Sequence, residues 1–350
     1  MTKDEFYEAK TAESQQGTDY SATAGVALNI SGKSEADIKV GLYSITYLGV
    51  WYRGGALSLE DVIQRAKKFG YTGIEIDGKR PHGNPLDMPK ARCEQLRDFA
   101  ESKGIEIYAV AANNDFSSPI PEHRESQLVY VQQLISMTQY LGAKLLRVFL
   151  AWPGVTIFPE GGGTYDIAKT MWRHVHETIP EEQTWEWCHQ GVAETARYAG
   201  EHGVTLALQN HPPVINGYRD CLRMLREVDS PYLKMCFDGR LEKKMDEAEV
   251  ERATREVGRL QVLSHYGGEY DEKPDGITIT PGEKCAAEIR GLMETGYRGY
   301  VSYELCHPLP LIDGKAPGID FVDKNARMAA IYMKNLIQET KRSRAATVGQ

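Results

Sequence analysis

The sequence predicts a single (β/α)8 barrel, and three observations carry that expectation. A short β-branched or apolar run followed by a polar loop and a helix-period segment recurs eight times between residues 38 and 338. The runs are continuously apolar rather than alternating, which suits parallel strands buried on both faces. Polar side chains gather just past the carboxyl end of several runs, where this architecture places its chemistry.

Taken in order, the strands are expected at IKVGLYSI (38–45), GIEID (73–77), IEIYAVA (105–111), KLLRVFL (144–150), VTLALQ (204–209), YLKMCF (232–237), LQVLSH (260–265) and GYVSYE (299–304). Helical segments fill the gaps. LEDVIQRAKKFG follows Ser58, a good N-cap, while CEQLRDFAESKG and SQLVYVQQLISMTQYLG close on Gly104 and Gly142 in C-cap positions. WEWCHQGVAETARYAGEHG, YRDCLRMLREV, the shorter and more charged DEAEVERATREV, EKCAAEIRGLMETG and KNARMAAIYMKNLIQET complete most of the set. Residues 1–37 are polar, without sustained periodicity, and read as an N-terminal arm, flexible or wrapped on a partner. Residues 339–350 read as a C-terminal tail.

Composition narrows the function classes. The 350 residues carry 41 Lys+Arg against 49 Asp+Glu, a net charge of −8. That balance disfavours nucleic acid as a partner, because counterion release needs clustered basic side chains. No apolar run approaches the roughly 20 residues of a membrane span, and the first residues, MTKDEFYEAK, lack the apolar core of a secretory signal. The six cysteines are scattered with no C-x-x-C pair and read as reduced thiols of a cytoplasmic protein. No Walker loop or G-x-G-x-x-G stands at a strand–helix junction, so nothing points to a nucleotide cofactor.

Candidate site residues stand at the strand ends. Gln209, Asp238, His265 and Glu304 follow four successive strands and supply an amide oxygen, two carboxylates and an imidazole. This oxygen/nitrogen set suits a divalent metal, Mn²⁺, Fe²⁺, Mg²⁺, Co²⁺ or Zn²⁺, without choosing among them. It leaves coordination positions for a substrate. Glu75, Lys79, Arg80, His82, Arg147, Trp152, Glu269 and His307 are the candidates for holding substrate, with Arg147 placed either to point into the site or to pair with Glu75.

With these residues in view, the chain resembles the xylose isomerase-like sugar-phosphate isomerase/epimerase superfamily over about residues 38–338. Within it, GLYSITYLGVWYRG (41–54), DGKRPHGNP (77–85) and LQNHPP (208–213) look most like the α subunit of C-glycoside deglycosidases. The resemblance implies a metal-dependent lyase that cleaves the glycosidic C–C bond of 3-oxo-glucosides by β-elimination, with a C–O bond as a further target. It also implies a divalent metal such as Mn²⁺ and a small β subunit as partner in a hetero-oligomer.

One departure matters. Epimerases of this superfamily typically carry Glu where Gln209 stands, giving two opposed carboxylate bases, and an amide cannot accept a proton at neutral pH. His211, two residues on, is therefore expected to be the base that removes the C2 proton made acidic by a C3 carbonyl, with Glu304 also at the reacting centre. The competing expectations are an isomerase, epimerase or inosose-type dehydratase using the same enolate chemistry, and a non-catalytic sugar-binding subunit.

Overall fold

The computed structural model describes residues 36–158, 162–274, 276–280 and 284–348. The expected arm therefore lies almost wholly outside the described residues. Eight parallel strands close into a barrel: β1 (Asp37–Tyr43), β2 (Gly73–Asp77), β3 (Glu106–Ala111), β4 (Leu145–Val148), β7 (Thr205–Gln209), β8 (Leu233–Phe237), β9 (Gln261–Tyr266) and β12 (Arg298–Tyr303). Each pairs with the next in the chain, and β12 returns to β1 through Ile38↔Gly299 and Val40↔Val301. The expected (β/α)8 architecture is the observed one, because strands this apolar need cover on both faces. Side chains fill the barrel interior and helices cover its outside.

The helices are α1 (Leu59–Phe69), α2 (Lys90–Ser102), α3 (Pro121–Tyr140), α4 (Asp166–Val175), α5 (Glu181–Glu201), α6 (Tyr218–Val228), α7 (Glu247–Val257), α8 (Cys285–Thr295) and α9 (Ile319–Val348). Local chemistry sets their ends. The Ser58 hydroxyl accepts the Asp61 N–H to start α1, and Gly70 stops it at φ 85°, a left-handed conformation open to glycine. Asp246 and Glu249 form a reciprocal capping box that fixes the start of α7 despite its charge.

Three features depart from the sequence reading. The connection after β4 carries a short hairpin, β5 (Thr156–Ile157) and β6 (Gly163–Thr164), and an extra helix, α4. A second hairpin, β10 (Glu269–Lys273) and β11 (Gly276–Thr280), follows β9. Finally, α9 continues through residues 339–348, where a frayed tail is expected from sequence. Lys, Arg and Ala there are good helix formers, and propagating an existing helix costs no new nucleus.

The lower half of the interior is an aromatic plug. Tyr108 stacks on Tyr300 with centroids 3.8 Å apart, and its hydroxyl lies 2.6 Å from Ser302 Oγ. Ala109, Ala207, Cys236 and Leu263 pack around the pair. Gly41 makes the room, since a Cβ there would fall 2.3 Å from the Tyr108 hydroxyl.

Candidate active site

At the other end of the same strands the interior is charged. Glu75 on β2 is fully buried, and each of its carboxylate oxygens has a partner. Oε1 accepts from Arg147 Nε at 2.8 Å, and Oε2 faces His265 Nε2 at 2.8 Å. Arg147, on β4, also donates from Nη1 to Gln209 Oε1 at 2.6 Å, and its guanidinium lies over the rings of Tyr43 and Phe149. Both geometries expected of Arg147 are thus realised at once. The buried arginine is tolerable because every charge beside it is matched.

His265, at the end of β9, is held by Glu75 at Nε2, which leaves Nδ1 turned toward Glu304 Oε2 at 3.3 Å. Asp238, Glu304 and His265 offer ligand atoms that all lie within 4.8 Å of one another. Burial disfavours a charged His265, but Glu75 and Glu304 outweigh it and raise its pKa to about 9. Burial likewise opposes ionisation of Glu304, yet His265 and Arg240 hold its carboxyl well below the ordinary range. Two anionic oxygens and one imidazole nitrogen oriented by a buried carboxylate form a donor set that fits a hard or borderline divalent cation.

Gln209 meets this group in an orientation other than the one expected of a ligand. Its oxygen is engaged by Arg147, which has only donors to offer. Its amide nitrogen faces Asp238 Oδ2 at 3.4 Å and His265 Nδ1 at 3.5 Å. As placed, Gln209 presents N–H groups to the triad rather than a lone pair.

A wall of rings borders the charged cluster. His211 sits edge-on to Phe149 and Trp152, 5.1 and 5.0 Å between centroids, and Trp152 stacks on Phe149 at 5.2 Å. Tyr165 stands edge-on to Trp152 on the far side. His211 Nδ1 lies 2.5 Å from the Pro212 carbonyl, an acceptor only, so Nδ1 carries the proton and Nε2 keeps its lone pair. Burial is the main cause that lowers the His211 pKa to about 4, and the positive charge of Arg147 adds to it. Trp51 and Tyr52, in the loop after β1, are buried in the cover of the barrel.

Other expected substrate residues are placed differently. Arg80 is exposed and held in a two-point ion pair by Asp87. His82 is buried with both ring nitrogens engaged, by Ser44 Oγ at 3.1 Å and the Leu57 carbonyl at 3.0 Å. Both fix the loop after β2 and are not brought to the triad. Lys79 Nζ stands 3.9 Å from the buried Asp77, which also accepts from Tyr43 and Asn113. Glu269 and His307 pair with each other at 3.1 Å.

The comparisons with known proteins bear on this geometry. The family model described as xylose isomerase-like TIM barrel matches residues 63–325. The chain belongs to that family. Among curated proteins it is 22% identical over 266 residues to fructoselysine 3-epimerase of Shigella flexneri, covering 71% of this chain and 86% of the relative. The 3-keto-D-glucoside 4-epimerase of E. coli superposes with a TM-score of 0.58 at 16% identity, covering 84% of this chain and 99% of that one. The IolI protein with a bound zinc atom gives 0.59 at 16% identity, covering 86% and 97%. At these identities the superpositions establish the fold.

Within this xylose isomerase-like barrel, Arg240 is the participant to which the sequence assigns no role. Its Nε donates to Asp238 Oδ1 at 3.1 Å, and its Nη2 donates to Asp238 Oδ2 at 2.8 Å and Glu304 Oε1 at 2.5 Å. The signal available was its place two residues after Asp238 in an otherwise acidic set. Tyr43, Phe149 and Tyr165 had no such signal, because only the closed barrel brings them to the site.

Proposed function

We propose that the protein is a divalent-metal-dependent enzyme that removes a proton from the carbon beside a sugar carbonyl, in the manner of a sugar isomerase or epimerase. The observation that carries this reading is the Asp238, His265 and Glu304 triad, with Glu75 fixing which nitrogen of His265 faces inward. A bound cation, Mn²⁺ first among the candidates, would be held by these three side chains and would make the neighbouring C–H acidic by polarising the carbonyl. The epimerase names among the relatives favour a product with unchanged connectivity.

His211 is the base in this proposal. It is neutral across the physiological range, Nδ1 is fixed by the Pro212 carbonyl, and Nε2 is left to accept a proton. Phe149 and Trp152 pack edge-on against it and offer apolar faces to a sugar ring. Glu304 stands on the triad side as the second acidic group of the reacting centre.

A specific observation keeps a second reading. Gln209 presents an amide where a two-base epimerase needs a carboxylate, which favours one-base chemistry such as β-elimination from a 3-oxo-glucoside. That reading includes the small partner subunit implied by resemblance. The outward face of α4, with Ile167, Met171 and Val175 one turn apart and exposed, is the surface proposed for it. Met171→Asp should abolish co-purification with that subunit, and unchanged co-purification would remove the face from the proposal.

Mass spectrometry of products formed in D2O separates the readings. The metal-loaded protein is given a ketose in one arm and a 3-oxo-glucoside in the other. An isomerised sugar of unchanged connectivity supports the first reading. Free aglycone plus an unsaturated keto sugar supports the second. With metal binding verified, no conversion of the ketose contradicts the first reading, and no conversion of the 3-oxo-glucoside by the chain together with its partner subunit contradicts the second.

A further inference from the structure

The proposed metal site already contains a cation of the protein's own. Arg240 makes three side-chain hydrogen bonds to Asp238 and Glu304, and its backbone N–H donates to Asp238 Oδ1 at 3.0 Å. One nitrogen, Nη2, bridges the two carboxylates and so lies between two of the three groups that would ligate a metal. The third group, His265, contacts the same Glu304 through the other carboxylate oxygen.

The guanidinium also has a seat. A Cβ on Gly267 would fall 2.0 Å from Arg240 Nη1 and 2.9 Å from the Glu304 carbonyl. Gly267 is not in the left-handed region, so its backbone conformation does not require glycine there. The Glu304 carbonyl and the guanidinium together leave no room for a side chain there.

Two positive charges on the same carboxylate oxygens repel strongly in a partly buried site. The side chain is 18% exposed, so it has a path outward along the mouth of the barrel. We propose that Arg240 is a resident counter-cation: it neutralises Asp238 and Glu304 before a metal binds, and it must release them when a divalent cation enters. Metal affinity is then set by competition with an internal guanidinium, and metal loading frees that guanidinium at the mouth of the site. This inference rests on the metal-dependent reading above and deepens it by naming what regulates occupancy.

The test compares wild type with Arg240→Met and Arg240→Lys in the full chain, stripped with chelator. Mn²⁺ binding is measured by calorimetry, and thermal unfolding is measured in EDTA and in saturating Mn²⁺. Removing the competitor should tighten Mn²⁺ binding by about tenfold or more in Arg240→Met, the scale of a lost set of charge-assisted hydrogen bonds. Arg240→Lys, which keeps the charge but loses the fork, should fall between the two. Arg240→Met should melt below wild type in EDTA, where two carboxylates lose their counter-charge, and the gap should close in Mn²⁺. Equal or weaker Mn²⁺ binding by Arg240→Met, with the same melting gap in both conditions, would make Arg240 a static structural residue and overturn the inference alone. Mn²⁺ binding by neither wild type nor variant would overturn the metal reading and this inference together.

Discussion

The two ends of the barrel interior are built from the same eight strands by opposite means. At the lower end Tyr108 and Tyr300 stack in the space left by Gly41, and shape decides what fits. At the upper end Glu75, Arg147, Asp238, His265, Glu304 and Arg240 are joined by hydrogen bonds and ion pairs, and charge matching decides. A plug of rings resists change of volume, whereas a charged network resists the removal of any one member. The difference places shape-based packing at the lower end and the proposed chemistry at the upper one.

Metal removal should have the largest effect. EDTA should abolish activity if the upper end works through a divalent cation, with Mn²⁺ restoring it and with the fold retained by circular dichroism. Undiminished activity after verified metal loss would contradict the proposed chemistry. His211→Ala should lower kcat on the order of 10²–10⁴-fold, the usual contribution of a general base, while Mn²⁺ still binds. Near-normal turnover with metal bound would move the base to another residue. Glu75→Gln should weaken Mn²⁺ binding by about 10–100-fold, because His265 loses the carboxylate that orients it.

Proton linkage sharpens the same contrast. In the metal-free protein the folded pKa of His265 is raised from 6.5 to about 9. Its contribution to stability is therefore fully present below pH 6.5 and lost as pH rises through about 9. Denaturant titrations between pH 6 and 10 in EDTA should show that decline, and Mn²⁺ should flatten it by replacing the proton. His211 shifts the other way, to about 4, so the acid limb of kcat/KM assigned to it should lie near that value and not near 6.5. The smallest expected effect is at the lower end. Gly41→Ala should cost about 1–3 kcal/mol of stability by overpacking against Tyr108, with kcat unchanged. An equal loss of kcat would mean that the two ends are coupled.

The strands, the closing order and the triad were legible because each follows from local pattern: apolar runs for strands, polar residues at their ends for the site. The two hairpins were not, since Thr156–Ile157 with Gly163–Thr164, and Glu269–Lys273 with Gly276–Thr280, are too short or too polar to stand out from loops. Arg80 and His82 looked like site residues by position, yet Asp87 and the Ser44–Leu57 pair hold them in the loop. Gln209 was legible as a site residue but not in orientation, which depends on Arg147 reaching it from β4. Arg240 was visible in the sequence but had no role until Asp238 and Glu304 closed around it.

The charged end is proposed as a metal site made by three side chains. Calorimetric titration of the chelator-stripped chain with Mn²⁺ tests it most directly, with wild type set against Asp238→Ala and Glu304→Ala. One ion should bind per wild-type chain and neither variant should show a measurable site, with the fold intact in all three. Wild type that binds no Mn²⁺, or variants that bind it as wild type does, would contradict it.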